Sequence, residues 1–538
     1  MTDFKADTFR PQASRPVGRN RASLAALDVL GVTLVLVLIA AIRSPQKDDV
    51  AWLLYVAHRW LHGKQLYVDL VEVNPPLIVW IYAVPVWLAD LFGVRLRMIA
   101  EPFFALAMLA SAWSCAVLLH GRHPLFTRRA PVFGVLGTVL LALPGVEFGQ
   151  REHLLSAAVL PYLCLYAVEW DARGRDTVVI NRPSALISAI VGAVAGLGCA
   201  LKPTYAVAFF TLELVGVWLG GRLFRAASVS GGTAALLYAT GVLLFCPAFL
   251  EKAVPLALAL YGATDTPCWM MLFAGRVVLA GEVAAVLLFV LWPPPPGLAR
   301  TALATLLLFA VGAFVAYVLQ GKNWFYHQLP ATVVIVFALL LWSATRLRDA
   351  LRERRFVPGA PALLACSAIL LFAQSGVTRV RPWIETAVNP DFSTEVRLEQ
   401  MLRHEHARSY IAFSEWIALG FPVVNTTGVR WASRFDSMWA LKGAKWRASQ
   451  DGTVPQDWPI ANWIATDFVA ACPDIAVVDR RGRTDWVAIL TASSPSFSRA
   501  WTTYRQLASF NGLVVFKRAG STCSPAITIV ANSATMSP

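Results

Sequence analysis

An acidic pair, Asp48-Asp49, stands directly after the first long apolar run, and two more carboxylates, Asp69 and Glu72, follow before Pro75-Pro76. Carboxylates beside an apolar span are costly to desolvate, so they are usually kept away from it or used. A carboxylate can take the proton from an attacking hydroxyl or position a cation. Basic residues stand in later connections: Arg151-Glu152-His153, then Lys202-Pro203, then Lys322, with Tyr326 and His327 close behind. Such cations can hold the charge of a phosphate. Carboxylates and cations gathered at one membrane face would suit group transfer from a lipid-linked phosphate. Whether they share a face depends on the elements between them.

Those elements are apolar. Of the 538 residues 57% are hydrophobic and only 15% charged, and the mean hydropathy is +0.57. These values exclude an ordinary soluble protein. Many runs reach about 17–22 residues, enough to cross roughly 30 Å of hydrocarbon. The expected spans are 24–43, 97–119, 131–147, 153–170, 184–201, 203–220, 231–250, 273–292, 300–319, 330–345 and 360–376. The first is too closely followed by further spans to read as a cleaved signal peptide. The formal charge of +14 sits largely in short loops, where it sets orientation rather than binding nucleic acid; a remaining share suits anionic lipid head groups or a phosphate-bearing substrate. The eight cysteines are dispersed, without the spacing of a zinc or redox motif.

The run 75–92 is ambiguous, because it opens on two prolines and carries Pro85 and Asp90. Charge arbitrates. Lys5, Arg10, Arg15, Arg19 and Arg21 place the N-terminus in the cytoplasm. If 75–92 lies along the outer interface, the loops with Arg122, Arg128 and Arg129, with Arg173, Arg175 and Arg182, and with Arg346 to Arg355 all fall inside. The expected fold is therefore a polytopic α-helical membrane protein of about eleven spans, set in a bacterial inner membrane. Residues 44–96 become one outer loop with two interfacial helices, one from Asp49 to Gly63 and one begun by Pro75-Pro76. All the chemistry-bearing residues then face outward.

Composition changes near residue 378, which divides a transmembrane part, 1–377, from a soluble periplasmic domain, 378–538, of α/β or α+β type. Asp474–Asp479 and Gly512–Lys517 read as buried strands, and 395–418 as helical. Cys472 and Cys523 could pair there or stand free. Asn425-Thr426-Thr427 is formally a glycosylation sequon.

In their order and shared sidedness these motifs resemble the GT-C superfamily of membrane glycosyltransferases, in the branch of protein mannosyltransferases and the lipid A aminoarabinose transferase. The stretches concerned are DDVAWLLYVAHRWLHGKQLYVDLVEVNPPL, ALKP and GKNWFYHQLP, and the likeness covers roughly residues 20–350. It implies a polyprenyl-phosphate-linked sugar as donor and a glycan, lipid or protein as acceptor at the outer face. It also implies inversion at the anomeric carbon. Asp48 takes the place of the catalytic base, with Asp49 beside it where the family often has glutamate. Asp69, Glu72, Arg151, Glu152, His153, Lys202, Lys322, Tyr326 and His327 are the expected substrate-binding residues. Glu152 stands where aspartate is more usual, and Asn74 where the family has Lys or His. Members differ in their use of a divalent metal, and no separate ligand cluster decides it here.

Plainer roles compete with these. Asp48 and Asp49 also suit a helix N-terminus. Lys202 also suits a snorkelling boundary lysine. Residues 151–153 could form a local salt-bridged turn, and Trp324 to Tyr326 an aromatic belt. His58 and His62, at helical spacing, could hold a metal, although solvated interface residues are the simpler reading. The alternative functions are a transporter or flippase of a lipid-linked saccharide, or a scaffold whose outer domain binds a partner. Few charges lie in span centres (Asp28, Glu213, Glu282) and no repeat is visible, which favours the enzyme.

Overall fold

The computed structural model describes residues 21–174, 183–353, 359–451 and 458–520. Arg175, Arg182 and Cys523 lie outside the described residues.

Every expected apolar run falls on a helix. Among the described residues, seven helices are long and apolar enough to cross a membrane, or eight if Cys268–Ala274 and Arg276–Leu291, bent by 70° at Gly275, count as one. The expected spans 131–147, 184–201 and 203–220 fall on shorter apolar helices, Arg129–Ala142, Ala185–Leu201 and Pro203–Trp218. Burial separates two kinds of helix. Arg151–Asp171 runs through the middle of the bundle, with 83% of its apolar window covered. Ala226–Phe245 is almost uncovered, with Leu236, Leu237, Leu244 and Phe245 all exposed. An apolar face of that extent on a surface marks contact with lipid.

The first loop folds as a helical hairpin. Asp48–Leu61 is one helix, and Gly63 follows it at φ +87°, where a side chain would be strained. Pro75 and Pro76 open the second helix, Pro76–Phe92, which ends on Gly93 at φ +63°. The first helix is not an open amphipathic surface element. Val50, Ala51, Leu53, Leu54, Val56 and Ala57 are all fully buried. The C-terminal part covers it: Phe421 packs on Trp52 and Tyr55, each with ring centroids 5.0 Å apart. Asn425, the sequon asparagine, donates to the Ala51 carbonyl at 2.8 Å.

The last apolar helix, Gly359–Val388, continues through residue 378, where composition changes. Beyond it lies a five-stranded mixed sheet. In chain order its strands are β1 (Ser409–Phe413), β2 (Arg430–Trp431), β3 (Ile475–Asp479), β4 (Tyr504–Phe510) and β5 (Leu513–Arg518). The spatial order is β2-β1-β3-β5-β4, with β1 parallel to β2 and β3, and β5 antiparallel to β3 and β4. Both expected strands are present. The expected helix over 395–418 is shorter: it spans Thr394–His404, and residues 409–413 are β1. All five residues of β1 are buried between parallel neighbours. A short fully apolar run carries no period to tell a central strand from a buried helix.

Candidate active site

A cavity of about 700 Å³ opens between the helical part and the sheet-bearing part. The N-terminus of helix Asp48–Leu61 brings Asp48 and Asp49 to its wall. Asp48 Oδ1 accepts from the Asp49 N–H at 3.0 Å and lies 3.4 Å from Lys47 Nζ. Oδ2 makes no hydrogen bond among the described residues. Burial pushes the Asp48 pKa up; Lys47 opposes that and Asp49 adds to it, and the net shift is upward. Lys47 also reaches Glu147 at 3.5 Å. Asp49 is tied to a distant element, because Gln150 Nε2 donates to its Oδ2 at 3.1 Å.

The cations come from three connections. Arg151, at the head of helix Arg151–Asp171, bonds the Asn74 side-chain oxygen. Lys202 follows helix Ala185–Leu201 and donates to Glu152 Oε1 at 2.6 Å. It lies 2.5 Å from His327 Nε2 and 5.6 Å from the centre of the Tyr326 ring. Burial lowers the Lys202 pKa to about 8, although Glu152 pulls it the other way. Tyr326 and His327 sit in a short 3-10 turn, Phe325–Gln328, and both are buried.

The expected site residues part into three groups. Asp48, Asp49, Arg151, Lys202, Tyr326 and His327 line the cavity. Glu72 and Lys322 also line it, but their polar atoms are spent. Glu72 accepts from Trp52 Nε1 at 2.5 Å and from the Val73 and Asn74 N–H groups at 2.8 and 2.6 Å. Lys322 donates to the Tyr261 carbonyl at 2.6 Å, to Thr264 Oγ1 at 2.9 Å and to Asp265. An ammonium has three protons, so Lys322 pins its neighbouring loop rather than presenting a free charge. Asp69, Glu152 and His153 stand outside the cavity wall. Asp69 is exposed and accepts from the Gln65 N–H at 3.0 Å. Glu152 is fully buried behind Lys202. His153 is fully buried between the Gly149 N–H at 3.1 Å and the Leu140 carbonyl at 2.8 Å, so it braces a turn.

The opposite wall is built by the C-terminal part. Glu415, Trp416, Asp436, Ser437, Trp439 and Lys442 all face the cavity. Asp436 is 8% exposed, and Ser437 Oγ at 3.2 Å is its hydrogen-bond partner. Burial, then Glu72 and Asp49, push its pKa well above the carboxylate range. Trp439 packs on Tyr261 with ring centroids 4.7 Å apart. Lys47 was within reach of sequence reasoning, since it adjoins Asp48. The residues of the far wall carry no local signal, because docking of a distant unit brings them here.

No family model and no curated protein matches the chain. Solved structures do. Over 93% of this chain and 100% of the other, it is similar to ArnT from Cupriavidus metallidurans bound to undecaprenyl phosphate, with 13% identity and a TM-score of 0.47. The apo form of that protein gives 14% identity and a TM-score of 0.42, over 94% of this chain and 100% of the other. An oligosaccharyltransferase from Archaeoglobus fulgidus, in complex with Zn and sulfate, gives 14% identity and a TM-score of 0.41 over 91% of this chain and 73% of the other.

Proposed function

We propose that the chain is a membrane glycosyltransferase that moves a sugar from a polyprenyl-phosphate donor to an acceptor hydroxyl at the outer face of a bacterial inner membrane, with eleven spans and a periplasmic C-terminal domain after residue 377. The observation that carries this reading is Asp48: one of its oxygens is unbonded, its pKa is raised, and it shares a cavity with Arg151 and Lys202.

In the reaction the free Asp48 oxygen accepts the proton of the acceptor hydroxyl. The acceptor oxygen forms its bond to the anomeric carbon as the bond from that carbon to the phosphate oxygen breaks. The electron pair leaves on the lipid phosphate. Arg151 and Lys202, both lining the cavity, offset the added negative charge on the leaving phosphate. Base and leaving group flank opposite faces of the sugar, so one displacement inverts the anomeric centre. A carboxylate whose pKa is raised toward the working pH is a better base than a solvated one. Asp49, held by Gln150, adds to the upward shift of the Asp48 pKa that burial causes.

The test is detergent-purified protein with a polyprenyl-phosphate sugar and a panel of hydroxyl acceptors, scored for release of lipid phosphate. Asp48→Asn should keep the fold and lose release by about 10²–10⁴-fold, the usual worth of a positioned base. Full release by that variant removes Asp48 from its role. Donor binding without release in the parent favours a carrier.

A further inference from the structure

A second cluster lies away from the cavity. His58 and His62 stand one turn apart at the end of helix Asp48–Leu61, and Asp90 comes from the last turn of helix Pro76–Phe92. A ligand atom from each lies within 4.8 Å of the other two. The imidazole centroids are 4.2 Å apart. Bonds of about 2.0–2.2 Å to a tetrahedral zinc ion put ligand atoms roughly 3.4 Å from one another. None of the three side chains is fully buried, so small rotations close that gap.

The hydrogen bonding also fits. His62 Nδ1 lies 2.8 Å from the His58 carbonyl oxygen. A carbonyl only accepts, so Nδ1 is the donor, and in the neutral ring the lone pair is then on Nε2. Metal-bound histidines are commonly oriented in this way, through the ring nitrogen that does not bind. The Asp90 carboxylate has no hydrogen bond or salt bridge among the described residues.

We propose that His58, His62 and Asp90 form a zinc site, with water as the fourth ligand, that clasps the two helices of the first-loop hairpin. The ion would tie the end of one helix to the end of the other. The connection between those helices carries Glu72 and Asn74 to the cavity, so the clasp acts on the cavity from outside it.

Protein purified without a histidine tag and stripped with EDTA is titrated with Zn²⁺ alone. One equivalent should bind, with a rise in Tm, and Co²⁺ in its place should give the visible bands of a tetrahedral site. His62→Ala and Asp90→Asn change exposed side chains and should keep the elution profile of the parent. Each should weaken Zn²⁺ binding at least about tenfold and abolish the rise in Tm. No binding by the stripped parent, or unchanged binding by both variants, overturns the site. Neither result bears on Asp48.

Discussion

The Lys202 ammonium donates to Glu152 Oε1 at 2.6 Å, and that carboxylate is fully buried. Lys202 must be protonated to offset phosphate charge, and its pKa is lowered to about 8, burial outweighing Glu152. Activity should therefore fall as pH rises through about 8. Glu152→Gln removes the charge that raises Lys202, so it should move that alkaline limb to lower pH. Glu152→Ala also leaves a buried cation unpaired, which should cost about 3–5 kcal/mol. A pH–rate profile reads the first effect and thermal unfolding in detergent the second.

The acid limb belongs to Asp48, which works only when ionised. Burial raises its pKa, Lys47 lowers it and Asp49 raises it. The limb should thus lie above the ordinary carboxylate range. Asp49→Asn should shift it to lower pH and Lys47→Gln to higher pH. Opposite shifts in the kcat/KM profile are the expected outcome. Profiles that coincide would remove Asp48 as the titrating base.

The two sides of this cavity differ in how far they could be read. Asp48, Lys202 and His327 lie at ends of apolar runs, and loop charges assign ends to sides. That logic is local and electrostatic, so it survives without coordinates. It fails where a side chain's partner is decided by packing. Glu72 and Lys322 look like free charges in sequence, yet their bonds are consumed by Trp52, Asn74, Tyr261 and Thr264. His153 looks like a loop ligand and is a buried brace. Asp436 and Trp439 were invisible, because they reach the cavity wall only when the C-terminal part docks on helix Asp48–Leu61.

Asp436 offers a sharper test of that docked wall. It is a buried carboxylate in the cavity, facing Glu72 and Asp49, with burial and those like charges all raising its pKa. Burial of such a group costs stability unless it is well paired. Asp436→Asn should leave Tm unchanged or higher while kcat/KM falls about 10–100-fold, equivalent to roughly 1.4–2.7 kcal/mol. A loss of activity together with a fall in Tm would mean that the residue merely holds the wall.

Orientation can be checked from the far end of a helix. Glu101, near the start of Arg97–Leu119, accepts from Gln46 Nε2 at 2.7 Å, close to the acidic pair. That helix has 23 residues and is about 34 Å long at 1.5 Å per residue. In the proposed topology the connection after it, with exposed Pro124, lies on the other side of the membrane from the cavity. In intact cells Pro124→Cys should resist an impermeant thiol reagent that labels an introduced cysteine at Asn323. Labelling at 124 would turn the cavity to the inside.

Helix Ala185–Leu201, which carries Lys202 at its end, is held by close contact with Ala226–Phe245. A Cβ on Gly192 would lie 2.0 Å from the Ala227 carbonyl oxygen, and one on Gly196 2.1 Å from that of Gly231. Small residues let helices approach in this way in lipid, where burial of apolar area gives little attraction. Gly192→Val should force the pair apart at a cost of about 1–3 kcal/mol. It should also weaken donor binding, because Lys202 moves with its helix. Gly232, on the same partner helix, has nothing within 4 Å of its would-be Cβ. Gly232→Ala should be neutral or stabilising by about 0.5–1 kcal/mol. Thermal unfolding of both variants in one detergent compares contact with propensity. Equal Tm values would show that this helix pair does not hold Lys202 in place.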